Sequence, residues 1–515
     1  MNVTRRPGWV QSRRAVQYLA LAVFVGLFVL SRGGGVASNL ANIPMRLDPL
    51  LVLTSSLAGR ALVAGAVLAL LTVGLTLVFG RAWCGWLCPL GTVLDLFSPK
   101  LGRGRRVAVP ESWRRAKYAL LLIILFAALL ANQTLLFLDP LTILFRTLST
   151  AVWPVLDQLV IALEELLYQV PGLEGPISSL DAALRPAVLP AEPLSYQDAF
   201  LFAGFFVALV ALNALAPRFW CRYLCPLGGL LGLISRVAIF RRRVTESCSG
   251  CPVCAPGCPT GTIDPDRGYA SDPAECTVCM ECLETCGRGA VKFKPGISWP
   301  EGRPYDPGRR ELLLGLGTAA VGVALFRSDL LAKRESPFLL RPPGVRESNP
   351  DAVALTRCTR CNECVRVCPT GAIQPAVFQA GLQGLGTPVV VPRLGYCDYD
   401  CNACGQICPS EAIPPLDLQQ KQQQVIGKAY IDENRCLGWS DHQLCVVCEE
   451  MCPLPEKAIR LEEREVRSPE GETISLLLPY VLRDLCIGCG LCEYRCPVSG
   501  DSAIRVYVPP LPVPF

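Results

Sequence analysis

Histidine is almost missing from this chain: one residue, His442, among 515. No C-x-x-C-H run occurs, so covalent c-type haem has no attachment site. One imidazole also cannot supply the ligand pair of a b-type cytochrome, so the chain is expected to carry no haem of its own. A dinucleotide fingerprint, a molybdopterin-type domain and a catalytic triad are all absent, and no substrate-converting site stands out. Net charge is only +5, which leaves nucleic-acid binding without compositional support. What remains is apolar and rich in sulfur. Hydrophobic residues make up 51% of the chain, which holds 28 cysteines, and the mean hydropathy is +0.36.

The length predicts about three domains. Apolar runs at 15–30, 61–80, 118–137 and 199–217 each approach the length that crosses about 30 Å of hydrocarbon at about 1.5 Å per residue. Flanking bases orient them. Arg5, Arg6, Arg13 and Arg14 precede the first run, and Lys100 to Lys117 separates the second from the third with seven bases. Arg218, Arg222, Arg236 and Arg241 to Arg243 follow the fourth. The loop at 33–57 holds one internal base, Arg46, and the loop at 138–198 is mainly acidic, with Asp157, Glu164, Glu165, Glu174 and Asp181. The N-terminus and the stretch after the fourth run are therefore assigned to the cytoplasm. The apolar part is internally duplicated: RLDPLLVLTS (46–55) recurs as FLDPLTILFR (137–146), and WCGWLCPLGTVLDLFS (83–98) as WCRYLCPLGGLLGLIS (220–235). Two related helical hairpins are expected, with an amphipathic helix near 151–169 in the second outer loop.

Nearly all cysteines fall in short C-x2-C runs, a spacing that converges on one metal centre more readily than it builds disulfides. Cys248, Cys251, Cys254 and Cys258 form C-x2-C-x2-C-x3-C-P, and Cys276, Cys279, Cys282 and Cys286 repeat it with Gly287 in place of proline. In the later block Cys358, Cys361, Cys364 and Cys368 match in full. Cys397, Cys401, Cys404 and Cys408 open with three intervening residues, and Cys436, Cys445, Cys448 and Cys452 with eight. Cys486, Cys489, Cys492 and Cys496 match again. Such a loop offers three thiolates to three corners of a [4Fe–4S] cube, and in two-cluster ferredoxins the fourth cysteine serves the other cube. Cys286 is thus expected with Cys248, Cys251 and Cys254, and Cys258 with Cys276, Cys279 and Cys282. Six [4Fe–4S] clusters follow. Zinc sites or a disulfide scaffold are the bland alternatives.

The block at 358–496 resembles the four-cluster ferredoxins of the MauM/NapG type. That resemblance implies that outer motifs exchange cysteines and inner motifs likewise. It places Cys496 with Cys358, Cys361 and Cys364, and Cys368 with Cys486, Cys489 and Cys492. It also places Cys452 with Cys397, Cys401 and Cys404, and Cys408 with Cys436, Cys445 and Cys448. On WCGWLCPLG, WCRYLCPLG and the two-cluster region that follows, the first 300 residues resemble the NapH/NosR/CcoG group of membrane polyferredoxins, without the large periplasmic flavin-binding domain of the NosR pattern. The expected fold is an α-helical membrane domain of four helices, as two repeated hairpins, joined to α+β bacterial-ferredoxin-like domains. The expected divisions are 1–244 (membrane domain), 245–293 (cytoplasmic two-cluster domain), 294–330 (linker and fifth helix) and 331–515 (periplasmic four-cluster domain).

Four cysteines remain. Cys84 and Cys88, like Cys221 and Cys225, are four apart and share a helical face. They make either an additional redox or metal site, a seventh cluster included, or helix packing ended by Pro89 and Pro226. Asp48 and Asp139 either line a quinol pocket or cap short helices, and capping is the preferred reading. His442 is read as a surface or packing residue. The stretch RRELLLGLGTAAVGVALFR (309–327) resembles a twin-arginine signal, the route for folded cargo. Its run Glu311–Phe326 is read as a retained fifth helix. The alternative, a chance basic pair before an interfacial helix, leaves all six clusters in the cytoplasm. With quinone as a further cofactor, the expected role is a quinol dehydrogenase-like conduit in the inner-membrane lipid bilayer, passing electrons from menaquinol or ubiquinol to a periplasmic reductase or cytochrome, as the NapG resemblance implies. The alternatives are a maturation or redox-regulatory factor, and a relay from cytoplasmic ferredoxin. Four further clusters serve a long relay better than a maturation factor.

Overall fold

The computed structural model describes residues 8–31, 40–63, 65–98, 110–190, 194–296, 338–345, 356–377, 379–467 and 473–509, with scattered positions between 313 and 324. Arg309, Arg310 and most of the stretch expected as a fifth helix lie outside the described residues. The chain forms two compact units. One comprises Met1–Val29, Ala41–Thr147 and Phe200–Leu325, and the other Leu30–Leu40, Leu148–Ala199 and Phe326–Phe515. The expected two-cluster region thus belongs with the apolar helices, and most of the second outer loop belongs with the C-terminal block.

In the first unit, helix Trp9–Leu30 is 22 residues long and, among the described residues, is the one helix long and apolar enough to cross a membrane. Helices Ala66–Phe79, Arg114–Leu129 and Ala199–Ala211 occupy the other apolar runs. With 14, 16 and 13 residues they reach about 20–24 Å, short of about 30 Å. At their flanks the backbone leaves the α-helix: Gly80 follows the first of them with φ of 68°, the 3-10 turn Glu111–Trp113 precedes the second, and the 3-10 turn Leu212–Ala214 follows the third. Each repeat then folds the same way. Asp48 Oδ1 accepts hydrogen bonds from the amides of Leu50 (2.7 Å) and Leu51 (3.2 Å), opening helix Pro49–Gly59. Asp139 Oδ2 accepts from Leu141 (3.0 Å) and Thr142 (3.2 Å), opening Pro140–Thr147. Both aspartates act as N-caps, satisfying amides that a helix start leaves free.

The second repeated element is also shared. Trp83–Leu87 and Trp220–Leu224 are single π-helical turns, closed by the Cys88 and Cys225 amides donating to the Trp83 and Trp220 carbonyls, each at 2.9 Å. Proline at the first helical position then starts Pro89–Leu96 and Pro226–Ser235. Strand Phe240–Val244 pairs antiparallel with Val291–Pro295, and between them lie the hairpin Ile263–Asp264 with Ala270–Ser271 and helices Cys254–Gly257 and Glu281–Thr285.

In the second unit, helices Trp153–Tyr168 and Glu174–Ala187 pack together. Arg185 ties them through Glu164 (3.2 Å) and Asp157 (3.7 Å), and is held on its own helix by Asp181 (2.6 Å). Among the described residues the C-terminal block holds five one-turn helices, Glu363–Val367, Ala403–Ile407, Leu418–Gln422, Val447–Glu450 and Leu491–Arg495. Three two-stranded ladders support them: Ile373–Pro375 with Pro388–Val390, Lys428–Ile431 with Ile504–Tyr507, and Ile459–Arg467 with Thr473–Val481. Leu340, Val365, Ile373 and Ile504 are buried in one core among the cysteines. Segment 148–199 meets the first helix and first ladder of this block. The Arg366 guanidinium lies 4.5 Å from the Trp153 ring centroid, and Gln374 donates to the Ser195 carbonyl (3.1 Å) and accepts from the Gln197 amide (3.1 Å).

Candidate iron-sulfur sites

In the first unit, Cys248, Cys251, Cys254 and Cys286 line one cavity. Cys276, Cys279 and Cys282 have Cys258 as their electrostatic neighbour. Packing of helix Cys254–Gly257 on Glu281–Thr285 produces this crossing, because each helix ends at the cysteine that leaves for the other site.

The C-terminal block crosses differently from the exchange that family resemblance implies. Cys408, not Cys496, lines the cavity of Cys358, Cys361 and Cys364. Cys368 lines the cavity of Cys397, Cys401 and Cys404, not that of Cys486, Cys489 and Cys492. Cys496, not Cys408, joins Cys436, Cys445 and Cys448. Cys452 neighbours Cys489, not the Cys397, Cys401 and Cys404 group. The reason is packing: helix Glu363–Val367 lies on Ala403–Ile407, and Val447–Glu450 on Leu491–Arg495. First and second motifs therefore exchange, as do third and fourth. His442, in the long third loop, is not among the residues lining the site there. It is half-buried, with φ of 54°.

The donor set fits [4Fe–4S] clusters. All 28 cysteines are free thiols. Among the described residues, no three Cys, His, Asp or Glu groups close on a point as a single ion requires. A zinc ion would draw four sulfurs to about 2.3 Å. Backbone amides point at the sulfurs: Ile413 at Cys408 (3.5 Å), Ala429 at Cys486 (3.4 Å) and Ala458 at Cys452 (3.4 Å). Arg242 Nε donates to Cys282 Sγ at 3.3 Å. Burial pushes the thiols of Cys279 and Cys448 up to about 12, so a metal must displace their protons.

A backbone feature went unread in the sequence. Within C-x2-C-x2-C, the residues just before and just after the middle cysteine hold positive φ in three motifs: Val278 (52°) and Met280 (64°), Arg360 (59°) and Asn362 (65°), Gly488 (74°) and Gly490 (82°). Alternating handedness curls the amides into a nest that favours anions. The signal was present in Gly488 and Gly490, but non-glycine residues at the other two motifs hid it. Lys421 was also missed. It is buried, and its Nζ donates to the carbonyls of Asp398 and Tyr399 (3.1 Å for the latter). It is an electrostatic neighbour of Cys397, Cys401 and Cys489.

Cys84, Cys88, Cys221 and Cys225 are all buried, and each has others of the four as neighbours. Two buried arginines flank them. Arg218 donates to the Cys84 carbonyl (3.0 Å) and to Asp95 (2.6 and 2.7 Å). Arg81 donates to the Ala274 carbonyl (3.0 Å) and Glu275 (3.4 Å). Glu275, beside Cys276, also receives Lys117 (2.5 Å) and Tyr118 (3.0 Å). Burial alone would raise the Glu275 carboxyl, but the Lys117 and Arg81 charges hold it below its ordinary value. Gly85 lies so close to the Thr277 carbonyl that a Cβ would sit 2.0 Å from its oxygen.

A family described as a 4Fe-4S binding domain matches twice, at 61–107 and 198–245, the segments that hold these four cysteines. A 4Fe-4S dicluster domain matches 443–499, which contains most of the third and all of the fourth motif. A further 4Fe-4S binding domain matches 353–374. The chain is 34% identical to the methylamine utilization ferredoxin-type protein MauM of Methylorubrum extorquens over 211 residues, 40% of this chain and 90% of that protein. It is 37% identical to the ferredoxin-type protein NapG of Escherichia coli over 206 residues, 39% of this chain and 85% of that protein. To YccM of Escherichia coli, named for electron transport, it is 30% identical over 233 residues, 43% of this chain and 54% of that protein. No solved structure matches.

Proposed function

Because the chain belongs to the family of the ferredoxin-type proteins MauM and NapG, we propose that it is a membrane-anchored conduit carrying electrons from quinol to a periplasmic reductase or cytochrome. The thiol quartets would hold six [4Fe–4S] clusters, which supply one-electron carriers when bound. Cys248, Cys251, Cys254 and Cys286 would hold one, and Cys276, Cys279, Cys282 and Cys258 its neighbour. In the four-site body the sets would be those that packing brings together, with Cys452 completing Cys486, Cys489 and Cys492. Arg218 and Arg81 beside Cys84, Cys88, Cys221 and Cys225 favour an anionic redox group there, a seventh site.

One observation carries the two-sided reading. Segment 148–199, inside the loop that its acidic balance assigns to the outer face, forms one unit with the four-site body. The two-site body instead belongs with the basic ends of the apolar helices, where Arg13 pairs with Glu281 (3.1 Å) and Arg81 with Glu275 (3.4 Å). The apolar helices would then form the multi-pass anchor, and the Arg309–Arg310 stretch would carry the folded four-site body across. Protease added to spheroplasts tests this. Residues 331–515 should be degraded while 240–295 survive. Survival of both until lysis would put every site in the cytoplasm and end the reading.

A further inference from the structure

The four sites of the C-terminal block stand in single file. The site of Cys358, Cys361, Cys364 and Cys408 exchanges a cysteine with that of Cys397, Cys401, Cys404 and Cys368. The second site meets the third directly, where the Cys397 amide donates to the Cys489 carbonyl at 2.8 Å. The third meets the fourth through Cys492 and Cys448. The two ends differ. At the first, Trp153 covers Arg366, Leu194 lies against Gly371, and Cys358, Cys361 and Cys364 are buried. At the last, the long loop between Cys436 and Cys445 leaves Cys445, Cys448 and Cys496 only half-buried. Leu444 is 67% exposed and Met451 36% exposed.

The chemistry around that last site is one-sided. Between Asp432 and Met451 stand five carboxylates, Asp432, Glu433, Asp441, Glu449 and Glu450, against one base, Arg435, and of the five Glu449 is paired with Lys457 at 3.0 Å. Glu433, Asp441 and Glu450 are exposed. The Arg435 guanidinium is turned to the carbonyls of Ser499 and Asp501. An apolar tip inside an acidic rim, over the more open end of the file, is the form of a transient docking face. We infer that electrons leave the file at the Cys436, Cys445, Cys448 and Cys496 site, through a surface centred on Leu444 that docks a one-electron acceptor protein with a lysine- or arginine-rich face. This rests on the conduit reading above. One electron leaves the last site for each docking event, and the acceptor's oxidised centre is reduced by one.

The test is binding, so it depends neither on quinol nor on cluster turnover. A lysine-rich c-type cytochrome serves as the probe, with the full-length protein immobilised in nanodiscs. Binding should weaken steeply between low and physiological ionic strength, since rim charges are screened within about 8–10 Å. Glu433→Lys with Asp441→Lys and Glu450→Lys should lower affinity about tenfold or more at low salt. Leu444→Ser alone should speed release. Asp266→Lys, on the two-site body, should change nothing. An unbound probe, a triple variant that binds as the parent does, or an equal loss with Asp266→Lys would each overturn the proposal. Such failures would leave the quinol reading standing, because quinol reduction is measured separately.

Discussion

At Cys486-Ile487-Gly488-Cys489-Gly490 the backbone turns left-handed twice, and at Gly488 it also runs against a neighbour. A Cβ on Gly488 would lie 2.4 Å from the Gly427 carbonyl oxygen, and φ there is 74°. That contact is with backbone, which cannot swing aside. Gly488→Ala should therefore cost about 1–3 kcal/mol and lower the iron content by one site, read by thermal denaturation and iron assay. Val278 and Arg360 show that the same backbone shape is adopted without glycine, at about 1–2 kcal/mol of strain. Lys421 acts through charge rather than shape. Its helix, Leu418–Gln422, opens with a capping box between Asp417 and Gln420, which fixes the side chain between the second and third sites. A buried cation beside two anionic centres favours their reduced forms. Lys421→Met should lower the midpoint potentials of those two sites and leave the others in place, as followed by potentiometric EPR. A uniform shift across all sites would refute that placement.

Among elements, the link between the apolar helices and the two-site body is a buried charge cluster. Glu275 faces Lys117 and Arg81, whose side chains are 0% and 1% exposed. Removing the shared carboxylate leaves two buried cations without it, which generally costs about 3–5 kcal/mol. Glu275→Gln should therefore loosen strand pairing between 240–244 and 291–295, visible as faster proteolysis there. Pairing of one-turn helices likewise decides which cysteine crosses. Cys408→Ser should perturb the site of Cys358, Cys361 and Cys364, and Cys496→Ser that of Cys436, Cys445 and Cys448. EPR of the two variants should change at different centres.

This is also where reading from sequence stopped short. Three thiols of each site are set by local spacing, and that spacing was legible. The fourth depends on which helices pack, a tertiary choice that C-x2-C-x2-C-x3-C-P repeats cannot express. Resemblance suggested outer with outer and inner with inner, whereas adjacent motifs exchange. The capping roles of Asp48 and Asp139 were legible because an N-cap is local. Lys421 was not, since it lies 13 residues from the nearest cysteine in sequence and reaches its sites only through the fold.

Over the whole molecule, the apolar runs, the duplicated C-x3-C-P units and the two cysteine-rich blocks were legible from composition and repeat. The grouping of segment 148–199 with the C-terminal block was not, because Trp153, Leu194 and Gln197 carry no local mark of their partners Arg366, Gly371 and Gln374. The central claim is that quinol electrons reach the sites of the C-terminal block. Titration of the purified, cluster-loaded protein with a menaquinol analogue, followed by EPR, tests it most directly. The account predicts reduction of several centres, with Lys421→Met altering two of them, in a protein holding about 24 irons or, with the seventh site filled, about 28. If every centre stays oxidised under quinol while dithionite reduces them all, the claim is contradicted.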